Sequence, residues 1–167
     1  GSDNIWAHQS SLSSYEYTTN DPSQNGGNII VSSYMVSPEL PGQSTCITSE
    51  INPIGLFAHE FGHILGLPDL YDRNSNDGDS KGLGDWCLMA SGSWSGWAGD
   101  TPSHMSVWCK TQLGWVNPTI LDQDEVDFSI PQINTTPFAL KIWEDDYNWS
   151  RYFLIENRQS VGFDADI

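Results

Sequence analysis

The sequence predicts an α+β fold in which strands lie at both ends of the chain and two helices lie between them. Short apolar or alternating runs separated by turn residues predict strands before residue 37 and after residue 125. Apolar residues at helical spacing predict helices over residues 53–65 and 103–113. Between the helices, residues 66–102 are rich in Gly, Asp, Ser and Asn and have almost no periodicity, which is typical of functional or ion-bound loops.

Composition and charge narrow the possible functions. Of 167 residues, 38% are hydrophobic, and eight Trp, six Tyr and six Phe supply enough apolar surface for one domain with a core. The 22 acidic residues outnumber the 6 Lys and Arg, and the net charge of −16 argues against nucleic acid and anionic membranes as partners. The same charge suits divalent cations. No run of about 18 apolar residues is present, so the sequence predicts no membrane span.

The first third of the chain is predicted to contain short strands. Residues 29–31 and 34–36 are apolar runs that predict strands, and Asn25-Gly26-Gly27 before them predicts a turn. Residues 37–50 hold two prolines and several Ser and Thr, and they predict a loop.

The first helix combines an apolar arc with two histidines. At about 100° per residue, five apolar residues share one arc that we expect to face the core: Ile54, Phe57, Phe61, Ile64 and Leu65. His59 and His63 are four residues apart and so lie one above the other, roughly opposite that arc. Because they point away from the predicted core, they belong either to an ordinary solvated face or to a ligand site.

The pattern H-E-x-x-H-x-x-G-x-x-D favours a metal site. Two imidazoles four residues apart can hold two corners of a zinc tetrahedron, so His59 and His63 are predicted zinc ligands. Gly66 permits a left-handed turn that ends the helix and returns the chain beneath the metal, which makes Asp69 the predicted third ligand. Glu60 points differently and falls short of the metal, but it could reach a zinc-bound water as general base.

The second helix is predicted from its capping residues, and the last strands are predicted from their apolar residues. We expect Ser103 to cap this helix and Gly114 to end it. Alternating apolar residues over 126–130 predict a strand, and residues 138–143 and 151–156 predict two further strands joined by a turn.

The three cysteines, Cys46, Cys87 and Cys109, match no zinc-ribbon or C-x-x-C spacing. One disulfide with one free thiol, and three buried thiols, are both open interpretations.

These motifs carry a family resemblance. Residues 54–164 resemble the immune inhibitor A family of secreted bacterial zinc metalloproteases, in the metzincin clan, through HEFGHILGLPDLYD, GDWCLMASGSW, PSHMSVWCKTQLGWV and YFLIENRQ. The resemblance implies a metzincin-like fold, secretion or display on a bacterial cell surface, and protein or peptide substrates. It also implies that His59, His63 and Asp69 bind zinc and that Glu60 is the base.

The resemblance further implies that Met89 is the Met-turn residue, which packs beneath the metal. The alternative is a gap-filling core methionine. Ser91 stands where some members of the clan place a tyrosine that supports the transition state. Tyr71 and His104 are candidates for that role, although a structural role is the alternative for each.

Two further expectations concern domain boundaries and calcium. We expect a catalytic domain over residues 1–122 and a β-strand extension over 123–167. The first is expected to be truncated, since Gly1-Ser2 resembles a cloning scar and only 58 residues precede His59. The second is expected to be truncated, since the chain ends at Asp166-Ile167 right after a strand-like segment. The stretch from Asp72 to Asp79 has the oxygen-rich composition of a calcium loop but lacks the helix-loop-helix pattern and its terminal Glu; a calcium ion would lie near Asp72 to Asp85. Calcium binding and a solvated acidic loop are both open.

The leading functional hypothesis is a secreted zinc-dependent endopeptidase that uses an activated water and a Glu general base. The alternative is a zinc-containing binding or adhesion module without turnover. The intact Glu60 argues against a decayed catalytic site.

Overall fold

A computed structural model describes residues 6–40, 51–74, 76, 80–121, 127–143 and 151–167. These residues form two α-helices and seven short strands, a mixed composition consistent with a peptidase domain. No helix among them is long and apolar enough to cross a membrane. The elements are β1 (His8–Ser11), β2 (Tyr17–Pro22), β3 (Asn28–Val31), β4 (Ser33–Val36), α1 (Ile54–Ile64), α2 (Val107–Gln112), β5 (Thr119–Leu121), β6 (Leu140–Trp143) and β7 (Tyr152–Ile155).

The strands form three small sheets. β1 pairs with β4, and β2 pairs with β3, both antiparallel. The predicted turn joins β2 to β3 through Gly26 and Gly27, whose φ angles are 89° and 71°. In the third sheet β6 lies between β5, which is parallel to it, and β7, which is antiparallel.

The strand predictions are confirmed in part. β3, β4, β6 and β7 coincide with the apolar runs, while β5 is too short to give a sequence signal. The strand predicted over 126–130 is wrong for the described residues, because 127–130 form no strand; Val126 lies outside them. Most of the loop predicted over 37–50, namely residues 41–50, also lies outside the described residues.

α1 packs on the side opposite to the one predicted. Phe61 is 52% exposed, whereas Gly55, His59 and Gly62 are buried. A Cβ at Gly62 would lie 2.3 Å from the Met89 Sδ, which shows how closely the helix backbone approaches the segment beneath it. The apolar arc therefore does not determine the buried face, because glycines let the histidine side approach the core more closely.

The core is built mainly from the segment that joins α1 to α2 in the sequence. That segment has no helical or strand periodicity. The main cluster of buried residues contains Leu67, Cys87, Leu88, Met89, Ala90, Met105 and Cys109. A second cluster, formed by Val107, Val116, Ile133 and Ala139, joins α2 to the C-terminal sheet. The irregular segment thus holds the centre of the hydrophobic core.

α2 begins later than predicted. Its N-cap is Ser106, whose hydroxyl accepts a hydrogen bond from the Cys109 N–H at 3.5 Å. Ser103, the predicted cap, instead donates to the Asp85 carbonyl at 2.6 Å. The predicted end is confirmed: Gly114 has a φ of 71° and donates to the Thr111 carbonyl at 3.1 Å.

A buried ionic cluster attaches the C-terminal segment to the core. Asp164 is fully buried; it accepts hydrogen bonds from the His104 N–H at 2.9 Å and from Arg158. Arg158 also donates to the Trp86 carbonyl, and Glu156 accepts a hydrogen bond from the Val107 N–H at 3.1 Å. These contacts join residues before the predicted domain boundary at residue 122 to residues after it. The division into two domains stays a prediction.

Candidate metal centre

The end of α1 positions the chain that follows it. Gly66 has a φ of 94° and donates to the His63 carbonyl at 2.9 Å, and Leu67 donates to the Gly62 carbonyl at 3.1 Å. This is the left-handed glycine turn that the sequence predicts, with both hydrogen bonds of a Schellman motif. The chain therefore reverses immediately after His63.

Backbone carbonyls orient both imidazoles. His59 Nδ1 lies 2.8 Å from the Leu88 carbonyl oxygen, and His63 Nδ1 lies 2.7 Å from the Leu67 carbonyl oxygen. A carbonyl only accepts, so each Nδ1 carries the proton and donates it. In the neutral rings, each Nε2 then carries a lone pair that is free to bind a metal.

The structure brings Asp69 to both rings. Its Oδ1 lies 3.2 Å from His59 Nε2 and 3.1 Å from His63 Nε2. Leu70, the next residue, donates its N–H to the Met89 carbonyl at 2.7 Å and so anchors the segment that carries Asp69. Among the described residues these three form the group with metal-ligand geometry, with ligand atoms within 4.8 Å of one another.

The donor set fits a zinc ion. The lone pairs of two neutral rings would face the Asp69 carboxylate at short range, which is unfavourable unless a cation lies between them. Ligand atoms around a tetrahedral zinc are roughly 3.3 Å apart, close to the 3.1 and 3.2 Å separations found here. Arg73 also reaches Asp69, at 3.2 Å, but its side chain is 74% exposed.

Glu60 lies beside this group on α1 and is only 6% exposed. Within the described residues its carboxylate has no hydrogen-bond or ion-pair partner. A buried carboxylate without such partners is costly unless a cation is near, and it is available to exchange a proton.

The structure separates the two candidates for transition-state support. The Tyr71 ring stacks against His59 with centroids 6.3 Å apart, and its pKa is raised by burial and by the charge of Asp69. His104 Nδ1 instead lies 3.2 Å from Asp164 Oδ2, in the C-terminal ionic cluster. Only Tyr71 therefore contacts a residue of the candidate metal centre.

Met89 is fully buried beneath α1, where Gly62 leaves room for its thioether. Its neighbour Leu88 accepts from His59, and its own carbonyl accepts from Leu70. Sequence reasoning missed the carbonyls of Leu67 and Leu88, because backbone groups leave no mark in residue identity. Gly62 was the available signal: a glycine inside a helix indicates a close approach.

The acidic stretch after Asp69 makes local turns. The Asn74 N–H donates to Asp72 Oδ1 at 2.8 Å, and the Asn76 N–H donates to Asn74 Oδ1 at 3.2 Å. Ser75 and residues 77–79, where the predicted calcium loop continues, lie outside the described residues.

Comparisons with known proteins identify the family of this chain. The family profile "Immune inhibitor A peptidase M6, catalytic domain" matches residues 1–116. The pre-pro-metalloprotease PrtV of Vibrio cholerae serotype O1 is 32% identical over 138 residues, which cover 76% of this chain and 14% of that protein. Immune inhibitor A of Bacillus thuringiensis subsp. alesti is 29% identical over 141 residues, 78% of this chain and 19% of that protein. The chain thus spans less than a fifth of the length of these relatives.

Proposed function

Since this chain belongs to the immune inhibitor A family of M6 peptidases, we propose that it carries the catalytic centre of a secreted zinc-dependent endopeptidase. The observation that carries the proposal is the convergence of His59, His63 and Asp69 beside the buried Glu60. The proposed reaction is hydrolysis of peptide bonds in protein substrates.

The two histidines and Asp69 are the proposed zinc ligands. The Leu88 and Leu67 carbonyls hold His59 and His63 with Nε2 directed at Asp69, so little side-chain ordering is needed when the metal binds. When bound, zinc acts as a Lewis acid that polarises the scissile carbonyl and makes a water ligand more acidic.

Glu60 is the proposed general base. It would take the proton of the attacking water and then deliver that proton to the nitrogen of the leaving amine. Its position supports this role, since the carboxylate is buried beside the proposed ligands, and its lack of partners within the described residues leaves both oxygens available.

Met89 is the proposed Met-turn residue. Its side chain fills the space left by Gly62, the residue before His63, and its carbonyl anchors Leu70 next to Asp69. We infer that it supports the ligands by packing and does not bind the metal itself. A metzincin-like arrangement follows from this assignment.

Two further components extend the proposal beyond the metal centre. Export from a bacterial cell is supported by the resemblance to secreted peptidases, and a net charge of −16 suits a protein that must stay soluble.

A calcium ion is proposed near the stretch from Asp72 to Asp85, on its density of oxygen ligands alone. Calcium should then raise the Tm at constant zinc; an unchanged Tm would contradict calcium binding.

The test uses the full-length protein. We expect one zinc per chain by elemental analysis, hydrolysis of an unfolded protein substrate, loss of that activity with a zinc-selective chelator, and recovery when zinc is restored. Hydrolysis that survives complete removal of zinc would refute the mechanism. Stoichiometric zinc without any hydrolysis would favour the alternative, a binding or adhesion module.

A further inference from the structure

Two cysteines that are distant in sequence lie side by side in the core. Cys87 Sγ and Cys109 Sγ are 3.9 Å apart and separated by 22 positions in the chain. Both residues are fully buried. Cys87 precedes Met89 by two residues, and Cys109 lies on α2. Cys46 lies outside the described residues.

The surroundings of this pair do not favour a metal site. Its neighbours are Leu67, Leu88, Ala90 and other members of the apolar core. The Ser106 N–H donates to Cys87 Sγ at 3.3 Å, and the Ser106 hydroxyl donates to Cys109 Sγ at 3.5 Å. Neither thiol belongs to a metal-ligand group among the described residues. The two sulfurs are in van der Waals contact with each other and have no metal-ligand partner among the described residues.

We propose that Cys87 and Cys109 form a disulfide in the exported protein. A disulfide has an S–S bond of about 2.05 Å, so each sulfur must move by roughly 0.9 Å, a distance within reach of a rotation about Cα–Cβ. The link would tie the segment that holds Met89 to α2. It would reduce the conformational entropy of the unfolded chain by closing a loop.

The oxidant is a second disulfide, carried by a dithiol oxidoreductase of the export compartment. One cysteine thiolate attacks a sulfur of the oxidant, forming a mixed disulfide and releasing the oxidant's other sulfur as a thiolate. The second cysteine thiolate then attacks the first cysteine's sulfur and releases the remaining oxidant sulfur. Two thiols of this chain are oxidised, one disulfide of the oxidant is reduced, and the two protons pass to the oxidant's thiolates.

Burial sets the order of events. Because neither sulfur is exposed in the folded structure, the exchange must occur before the segment around Cys87 packs onto α2. Once formed, the disulfide is shielded from reductants in the native state. Reduction then requires unfolding.

The pairing is tested by peptide mapping of the full-length protein after export to the periplasm of a bacterial expression host. The protein is denatured and alkylated without reductant, then digested. We expect a linked peptide pair that joins Cys87 to Cys109 and is lighter than the two free peptides by two hydrogen atoms. Alkyl groups on both Cys87 and Cys109, or a link from either to Cys46, would overturn the proposal.

Thermal unfolding tests the stabilising role. When the full-length protein is denatured with a phosphine reductant and refolded in its presence with zinc in excess, its Tm should be about 5–10 °C below that of the oxidised protein. The same shift is expected for Cys46→Ser, the matched control. The double variant Cys87→Ser/Cys109→Ser should be insensitive to reductant. A wild-type Tm that does not respond to reductant would also overturn the proposal.

Discussion

Two aspartates among the described residues, Asp69 and Asp164, face histidines, and they differ in where the compensating positive charge comes from. Asp69 Oδ1 lies 3.2 and 3.1 Å from the Nε2 atoms of His59 and His63. Asp164 Oδ2 lies 3.2 Å from His104 Nδ1. Residue types and distances are nearly the same, but the two clusters are suited to different roles.

At Asp164 the chain supplies the cation itself. The Arg158 guanidinium, only 4% exposed, pairs with this carboxylate and also donates to the carbonyls of Trp86 and His104. At Asp69 the chain's guanidinium comes from Arg73, which is 74% exposed and remains solvated. A carboxylate neutralised by a buried guanidinium anchors the chain. We propose that Asp69, whose guanidinium partner is solvated, binds a metal ion instead.

The strongest test of this comparison is Glu60→Gln. The variant should lose about 10²–10⁴ in kcat/KM, since glutamine cannot accept the proton, while zinc content stays at the wild-type level. Peptidase assays with elemental analysis measure both. Glu16→Gln, which removes an exposed carboxylate, is the matched control, and its kcat/KM and zinc content should equal those of the wild type. Full activity in Glu60→Gln would remove this residue from the mechanism.

Arg158→Met should break the anchor and leave the metal centre assembled. Removing the guanidinium leaves the Asp164 carboxylate buried and unpaired, which should lower the free energy of unfolding by about 3–5 kcal/mol. The exposed Lys81→Met is the control and should change it by less than about 0.5 kcal/mol. Chemical denaturation gives these values. A stability equal to that of the control would mean that Asp164 does not depend on this cation.

Asp69→Asn and Asp164→Asn compare the two carboxylates directly. Asparagine keeps the shape and removes the charge, so Asp69→Asn should weaken zinc binding by about 10–100-fold. Asp164→Asn should leave zinc affinity within a factor of about three, because its carboxylate is bound to Arg158. Competition with a chromophoric chelator measures both affinities. Equal losses would show that the two clusters are coupled and not distinct.

Acid should weaken the anchor over a defined pH range. Burial alone would raise the pKa of Asp164, but the hydrogen bonds and charge of Arg158 and the His104 N–H outweigh it and lower that pKa to about 2. Since the unfolded value is about 3.9, the ionised carboxylate stabilises the fold above about pH 4, and this contribution of about 2 kcal/mol is lost as pH falls towards 2.

The measurement is the difference in free energy of unfolding between wild type and Asp164→Asn, followed from pH 6 downwards. Taking the difference removes titrations common to both proteins, including those of the metal ligands. The difference should shrink below about pH 4. A difference that is constant with pH would contradict the lowered pKa.

The smallest effect is expected for Met89→Leu. This substitution nearly conserves volume in the packed space beneath Gly62, so the stability should fall by less than about 1.5 kcal/mol and activity should be largely kept. Met89→Ala is the contrasting variant, since its cavity should cost about 2–5 kcal/mol. Denaturation and peptidase assays test both. Activity that is lost equally in both variants would point to a chemical role for the thioether instead of packing.

Several features of the fold could be predicted because they are local. Gly66 and Gly114 both end helices with positive φ, as the sequence indicates, since a left-handed backbone conformation favours glycine whatever surrounds it. The strand predicted over 126–130 failed because alternation alone supplies no pairing partner. The apolar arc of α1 predicted the wrong buried face for a related reason. Large apolar side chains indicate hydrophobicity, whereas a glycine indicates how closely two backbones can approach each other.

The sequence by itself determined the donors of the candidate metal centre and their spacing along one helix and one turn, since covalent geometry places His59, His63 and Asp69 within eleven residues. Only the tertiary structure decided what orients and encloses them. The carbonyl that holds His59 is 29 residues away, the thiol beside Cys87 is 22 away, and the carboxylate that receives the His104 N–H is 60 away. Such contacts depend on how distant segments pack. Packing depends on the shape and charge of whole surfaces, which the order of neighbouring residues does not reveal.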